Sequence, residues 1–198
     1  MISKISTIIV NLLIKNSTIT EDDRELYHYG FFILMSQMLY FTITMVFGLL
    51  LGVFIESLFF YLLFQIIRRY AGGFHASTET SCGIMTTLSL LISVSLIRVS
   101  SSVKLEIPLL VTTSFSAISI CIFSPLDTPE KQLSESESNY YRKVSLCILL
   151  LISVVVVIST ILKIKIIFAP ACLSLIFEGL LLCAGKIKQK LLNPANAE

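Results

Sequence analysis

The residues best suited to covalent chemistry in this chain are a cysteine and a histidine. His75 and Cys82 lie in the polar segment RRYAGGFHASTETSC at residues 68–82, between two long apolar runs, and the chain has only two histidines. A nearby base or positive charge raises the thiolate fraction of a cysteine and makes it a better nucleophile. The segment therefore predicts thiol chemistry at the edge of the apolar runs.

The spacing of these two residues sets a condition on that chemistry. On an unbroken helix, residues seven apart share a face but their Cα atoms lie about 10 Å apart, whereas a thiol and an imidazole must approach to about 3.5 Å. A catalytic pair therefore requires a bend between Ala76 and Ser81. Gly72 and Gly73 give the backbone freedom just upstream, and the hydroxyl and β-branched residues that follow weaken helix propensity. We predict a helix beginning close to Cys82.

Residue type alone leaves other interpretations of this segment open. A solvated histidine beside an incidental thiol fits the same residues. A zinc site would need four ligands, and His28 would have to come from another part of the fold to join His75 and Cys82. We predict neither a metal nor a cofactor.

Composition places the segment in a membrane protein. Hydrophobic residues make up 55% of the chain, charged residues 14%, and the mean hydropathy is +0.87. A soluble domain has about a quarter of its residues charged. We predict an all-α polytopic membrane protein that forms one domain over residues 1–198, has about six transmembrane helices and binds no nucleic acid.

Apolar stretches bounded by charge, glycine or proline give six candidate spans, at residues 27–51, 53–67, 83–97, 107–123, 144–162 and 166–184. Because a span needs about 20 apolar residues, the second and third are short unless they borrow residues from the polar segment or form a re-entrant pair. Together the spans predict a transmembrane bundle over residues 27–184.

The chain ends flank this bundle. Lys4, Thr7, Asn11 and Lys15 follow one stripe at helical spacing, which predicts an amphipathic helix in the membrane interface over residues 1–19. Residues 185–198 are predicted to be a cytoplasmic tail.

Basic residues are distributed unevenly between the two sides of the predicted bundle. Eleven of the fifteen lie on the side of both termini and of the polar segment, and the other four are Arg98, Lys104, Lys163 and Lys165. The positive-inside rule therefore predicts that both termini and the polar segment are cytoplasmic. Thiols stay reduced in that compartment, so we expect no disulfide framework from the five cysteines.

Glu178 is an acidic residue deep in the sixth predicted span. A carboxylate at that depth is costly and indicates a polar partner or a cavity. Hydrogen bonding between helices and a role in substrate handling are both compatible with it.

The pattern Arg68-Arg69-x-Ala-Gly-Gly73-x-His75, followed by Cys82, resembles the accessory gene regulator B family of membrane cysteine endopeptidases. The later segment FSPLDTPEK at residues 123–131 also looks like that family's loop between the fourth and fifth spans. The length of the chain and its six predicted spans agree with the family.

The resemblance implies a bacterial cell-membrane peptidase that cuts the carboxy-terminal tail from a short quorum-sensing propeptide. The enzyme would hold the remainder as a thioester until a cysteine of the peptide closes a thiolactone ring, giving a cyclic autoinducing peptide. Cys82 would be the nucleophile and His75 its base, and the family functions as a homodimer.

Arg68 and Gly73 match motif positions that the family needs for activity. Arg68 could pair with an acidic substrate tail or, like Arg69, anchor a span end against lipid headgroups. Gly73 could permit a positive φ or a close backbone approach.

A small membrane transporter or channel is the main alternative function. A transporter should show an internal repeat, paired broken helices or several intramembrane charges, whereas the sequence has no repeat and Glu178 as its one clear intramembrane charge. A scaffold subunit, the third possibility, would not need Cys82.

Overall fold

A computed structural model describes residues 2–74, 76, 78–103, 105–126 and 134–192. Within these residues the chain forms seven α-helices and no β-strand: α1 (Ile2–Lys15), α2 (Arg24–Leu50), α3 (Phe54–Ala71), α4 (Glu79–Ser102), α5 (Glu106–Phe123), α6 (Glu135–Ile161) and α7 (Lys165–Leu192). The predicted all-α architecture is confirmed, with α1 at the position of the amphipathic helix and one helix at each predicted span.

Five of these helices, α2, α4, α5, α6 and α7, are long and apolar enough to cross a membrane. The remaining candidate, α3, has 18 residues, of which Glu56, Arg68 and Arg69 are charged. Many large apolar side chains on the spans are exposed, among them Phe115, Leu150 and Ile161. Lipid must cover these surfaces, so the chain is a multi-pass membrane protein.

Several helix ends differ from the predicted span ends. α3 continues to Ala71 and α4 begins at Glu79, so the two short predicted spans do take residues from the polar segment. α7 runs on to Leu192, so residues 185–192 of the predicted tail are helical. α6 begins early because Ser134 and Glu137 form a capping box at its start.

The chain divides into two compact units, Met1–Ile43 and Thr44–Glu198. In the first unit α1 contacts the beginning of α2. Arg24 Nη1 donates a 2.7 Å hydrogen bond to Asn11 Oδ1, and His28 Nε2 lies 3.4 Å from the carbonyl oxygen of Ser3. These contacts hold the amphipathic helix to the start of the first span.

The second unit is built around α7, which packs against α3, α4, α5 and α6. The most apolar window of α7 is 67% buried, against 11 to 28% for the other four spans. Its side chains join a core that includes Ile67 of α3, Ile120 of α5 and Ile152 of α6. A side chain on the packed face of α7 is therefore screened from both lipid and water.

Candidate active site

Cys82 lies in the first turn of α4, close to where the sequence predicts a helix to begin. Thr78 is the N-cap residue and has extended backbone angles, and its Oγ1 accepts a 3.2 Å hydrogen bond from the Ser81 backbone N–H. Cys82 is half-buried and carries a thiol rather than a disulfide. Because the positive end of a helix dipole stabilises anions, this position suits a thiolate.

His75, the predicted base, lies outside the described residues, so its distance from Cys82 stays a prediction. The described residues on either side of His75 nevertheless show the break in the helix that a catalytic pair requires. α3 ends at Ala71 and α4 begins at Glu79, and Phe74, Ala76 and Thr78 are not helical. The chain between the two predicted catalytic residues is therefore not one continuous helix.

Arg68 lies in the last turn of α3 and holds the backbone that follows. Its Nη1 donates to the carbonyl oxygen of Gly72 and its Nη2 to that of Phe74, both at 2.8 Å. The same Nη1 lies 3.8 Å from Oε2 of Glu178 on α7. The predicted polar partner of Glu178 is therefore the first arginine of the motif.

Arg69 behaves differently from its neighbour. It is exposed and makes no hydrogen bond or ion pair within the part of the chain that the structure describes. This environment fits a headgroup anchor at the end of α3.

Gly72 and Gly73 are needed for the conformation and for the packing of this loop. Their φ angles are +79° and +135°, which L side chains rarely adopt. A Cβ on Gly72 would lie 2.6 Å from the carbonyl oxygen of Leu126, and one on Gly73 would overlap Nη1 of Arg68. The positive φ expected of Gly73 is therefore observed, and the group that approaches it closely is the side chain of Arg68.

The two segments that carry the family resemblance meet at this loop. The Leu126 backbone N–H donates a 3.0 Å hydrogen bond to the carbonyl oxygen of Ala71, and Gly72 and Leu126 form an isolated parallel bridge. Just upstream, the Ser124 and Ser145 hydroxyls lie 2.7 Å apart in a buried contact. The segment after α5 thus fixes one edge of the loop.

α7 fixes the other edge. The Phe74 backbone N–H donates a 3.0 Å hydrogen bond to the carbonyl oxygen of Leu181, and Lys188 Nζ lies 5.3 Å from the centre of the Phe74 ring. Between them, a Cβ on Gly185 would lie 3.0 Å from Phe74 N and 3.1 Å from the carbonyl carbon of Gly73. Gly185 therefore lets the loop lie directly against the helix.

Sequence reasoning missed Gly185 and Lys188, which fall in the predicted tail. One signal was available, since a glycine inside a helix costs about 1 kcal/mol relative to alanine and indicates a packing reason when it is retained. Among the described residues, no group of three or more His, Cys, Asp or Glu side chains is placed to bind a metal.

A separate cavity of about 220 Å³ lies at the opposite end of the second unit, between the starts of α3, α5 and α7 and the end of α4. Its lining includes Glu56, Glu106 and Lys165. Because Glu56 and Arg68 are twelve residues apart on α3, about 18 Å along the helix axis, this cavity is not part of the site described above.

Comparison with known proteins agrees with this picture. The family model described as Accessory gene regulator B matches residues 6–182. The chain is similar to AgrB-like protein 2 of Clostridium perfringens strain 13, with 28% identity over 171 residues that cover 82% of this chain and 78% of the relative. An AgrB-like protein of strain SM101 is 26% identical over the same shares. No solved structure matches the chain significantly.

Proposed function

Because the chain belongs to the accessory gene regulator B family, we propose that it is a membrane cysteine endopeptidase that matures a short signalling propeptide. Cys82 is the nucleophile and His75 the general base. The enzyme removes the carboxy-terminal tail of the propeptide and promotes closure of a thiolactone ring in the remaining peptide.

The observation that carries this proposal is the anchoring of the backbone immediately before His75. Arg68, Leu126 and Leu181 hold residues 71–74 through hydrogen bonds of 2.8 to 3.0 Å, and the thiol of Cys82 follows on the first turn of a capped helix. Solvated loops do not need such restraint. Catalytic groups do, because misplacement by about 1 Å can cost about 100-fold in rate.

The proposed first step is acyl transfer to the enzyme. The His75 imidazole takes the Cys82 proton, and the thiolate attacks the scissile carbonyl carbon to form a tetrahedral intermediate. When that intermediate collapses, the C–N bond breaks and the imidazolium gives its proton to the departing amine. The tail leaves with a new amino terminus, and the peptide stays on Cys82 as a thioester.

The proposed second step releases the product. A thiol of the bound peptide loses its proton to His75 and attacks the thioester carbonyl, so a new C–S bond forms within the peptide as the bond to Cys82 breaks. No oxidant is needed, since one thioester is exchanged for another. The apolar helices that flank the site would limit hydrolysis by water.

The placement of charge in the second unit supports a cytoplasmic site. The loop lies where α3, α5 and α7 end and α6 begins, and basic residues of that end are Arg68, Arg69, Arg142, Lys143, Lys186, Lys188 and Lys190. The opposite end has Arg98, Lys163 and Lys165 among the described residues. By the positive-inside rule the loop faces the cytoplasm, where a newly made propeptide would meet it.

The test is co-expression with the cognate propeptide, sought in the neighbouring reading frame as a short peptide with an amphipathic start, a central cysteine and an acidic end. We expect the tail to be cleaved, and Cys82→Ala and His75→Ala each to abolish cleavage. Mass spectrometry of the His75→Ala variant and of the parent should find a hydroxylamine-sensitive acyl adduct on Cys82 only in the parent.

Cys121→Ala is the matched control, because Cys121 is an exposed thiol within α5. It should cleave the propeptide like the parent. Continued cleavage by the Cys82→Ala variant would overturn the peptidase proposal and leave the transporter or scaffold alternatives.

A further inference from the structure

The contacts of the buried carboxylate on α7 point to a role that the motif itself does not include. We propose that Glu178 is a positioning residue for His75 and that it acts through Arg68. The inference rests on the proposed peptidase function, because it assigns a task to a residue that supports the same site.

Burying the Glu178 carboxylate inside the helix bundle costs free energy. The side chain is fully buried, and neither carboxylate oxygen has a hydrogen-bond partner among the described residues. Buried charges of this kind stabilise a fold poorly, and well-packed apolar side chains usually do so better. The carboxylate therefore requires an explanation other than stability.

Arg68 is a charged neighbour of this carboxylate. Nη1 of Arg68 lies 3.8 Å from Oε2 of Glu178, and the arginine side chain is 19% exposed. In a poorly hydrated interior, attraction between opposite charges at this distance is much stronger than in water. Glu178 therefore draws the guanidinium towards α7 and holds it there.

In that position the Arg68 guanidinium holds two backbone carbonyl groups. It directs one nitrogen to the carbonyl oxygen of Gly72 and the other to that of Phe74. Because the guanidinium is planar and rigid, fixing its place and plane fixes both hydrogen bonds together. A displaced arginine would release both carbonyl groups.

One of these two carbonyl groups directly precedes the predicted base in the chain. The carbonyl of Phe74 belongs to the peptide group that joins Phe74 to His75, so holding this oxygen restricts where the histidine can lie. The backbone N–H of Phe74 is held by the carbonyl oxygen of Leu181. The chain from Glu178 to His75 thus passes through one ion pair, one hydrogen bond and one peptide bond.

A direct role in substrate binding does not fit Glu178, because a fully buried carboxylate cannot touch a peptide unless the helices separate. Arg68 likewise uses two of its five N–H donors on its own chain. Loss of Glu178 should therefore lower kcat and leave KM for the propeptide unchanged.

The test measures Cys82 reactivity without the propeptide. The full chain is reconstituted in liposomes and treated with iodoacetamide at neutral pH, and alkylation of each cysteine is followed by mass spectrometry. We expect His75→Ala and Glu178→Gln each to slow alkylation of Cys82 by about tenfold, with alkylation of Cys121 unchanged. In the His75→Ala background, Glu178→Gln should cause no further loss, since the two residues act in series.

Ser174→Ala is the matched control. Ser174 is fully buried one turn earlier on α7, and its hydroxyl donates to the carbonyl oxygen of Ala171 in the same helix. Its loss should leave Cys82 reactivity unchanged. If Glu178→Gln does not fold, Glu178→Asp replaces it, because it keeps the charge on a shorter side chain and should give an intermediate loss.

The outcomes separate this inference from the function on which it rests. If His75→Ala leaves both cleavage and Cys82 reactivity intact, the proposed dyad is wrong. If His75→Ala slows alkylation but folded Glu178→Gln and Glu178→Asp do not, only the positioning role is overturned. Losses from His75→Ala and Glu178→Gln that multiply in the double variant would also overturn it.

Discussion

The backbone N–H of Phe74 donates a 3.0 Å hydrogen bond to the carbonyl oxygen of Leu181, so the loop that carries the motif is attached to α7 about three turns before that helix ends at Leu192. Helix carbonyls usually accept from the residue four positions later, which here is Gly185. The absence of a side chain at that glycine lets the loop approach closely enough to share this oxygen. The loop is consequently packed directly against α7 and hydrogen-bonded to it at this point.

Gly185→Ala should therefore damage the site. The new Cβ would touch Leu126 Cδ2 and lie 3.0 Å from Phe74 N, so the loop must move away from α7. We expect propeptide cleavage to fall about tenfold to 100-fold. Gly30→Ala is the control, because Gly30 is in α2 with nothing within 4 Å of its added Cβ, and its cleavage rate should equal that of the parent. Equal rates for both variants would contradict the packing argument.

Gly73→Ala tests the contact between the loop and the arginine. The added Cβ would overlap Nη1 of Arg68, so the guanidinium must move away from the loop. We expect the rate of propeptide cleavage to fall by at least about 100-fold. Gly52→Ala imposes strain without that clash, because Gly52 has φ +70° and open space around its Cβ. It should cost about 1–2 kcal/mol of stability and leave cleavage intact. Comparable inactivation of both variants would show that strain alone explains the loss.

Much of this site can be predicted from the sequence. The features that cannot be predicted depend on tertiary contacts between helices. Two adjacent glycines between apolar runs predict a break, and the buried carboxylate at Glu178 predicts a polar partner. The identity of that partner depends on how α3 packs against α7, which no local pattern encodes. Gly185 was missed for the same reason, since its neighbours are far away in the sequence.

The helix boundaries show the same limit. Apolar length predicted short second and third spans, yet α3 and α4 extend into the polar segment because Thr78 caps α4 and Gly72 ends α3. The position of His75 relative to Cys82 stays a prediction, and its support is the break between the two helices.

Arg68→Lys tests whether the arginine acts through its shape or through its charge. A lysine keeps the charge opposite Glu178, but its single ammonium cannot reproduce the planar fork that holds Gly72 and Phe74. We expect the protein to remain folded with kcat lowered at least about tenfold. Arg69→Lys should behave like the parent in the same cleavage assay, since Arg69 is exposed. Full activity of Arg68→Lys would indicate that charge alone suffices.

Removing Arg68 should expose the cost of the buried carboxylate. Arg68→Ala leaves Glu178 without its compensating charge, which we expect to cost about 3–5 kcal/mol in the free energy of unfolding. The double variant Arg68→Ala/Glu178→Leu removes the charge as well and should regain most of that loss, although it should not cleave the propeptide. Thermal unfolding in detergent measures both. Additive destabilisation by the two changes would show that the residues do not interact.

The orientation of the second unit can be tested with single cysteines at its two ends. Lys190 is exposed near the end of α7 that carries the loop, and Lys163 is exposed between α6 and α7 at the other end. In intact cells, a membrane-impermeant maleimide should label Lys163→Cys and not Lys190→Cys, because the basic end faces the cytoplasm. Permeabilised cells should label both, and the parent chain gives the background from its own thiols. Labelling of Lys190→Cys in intact cells would place the loop, and the proposed peptidase site, on the outer face, where no propeptide could reach it before export.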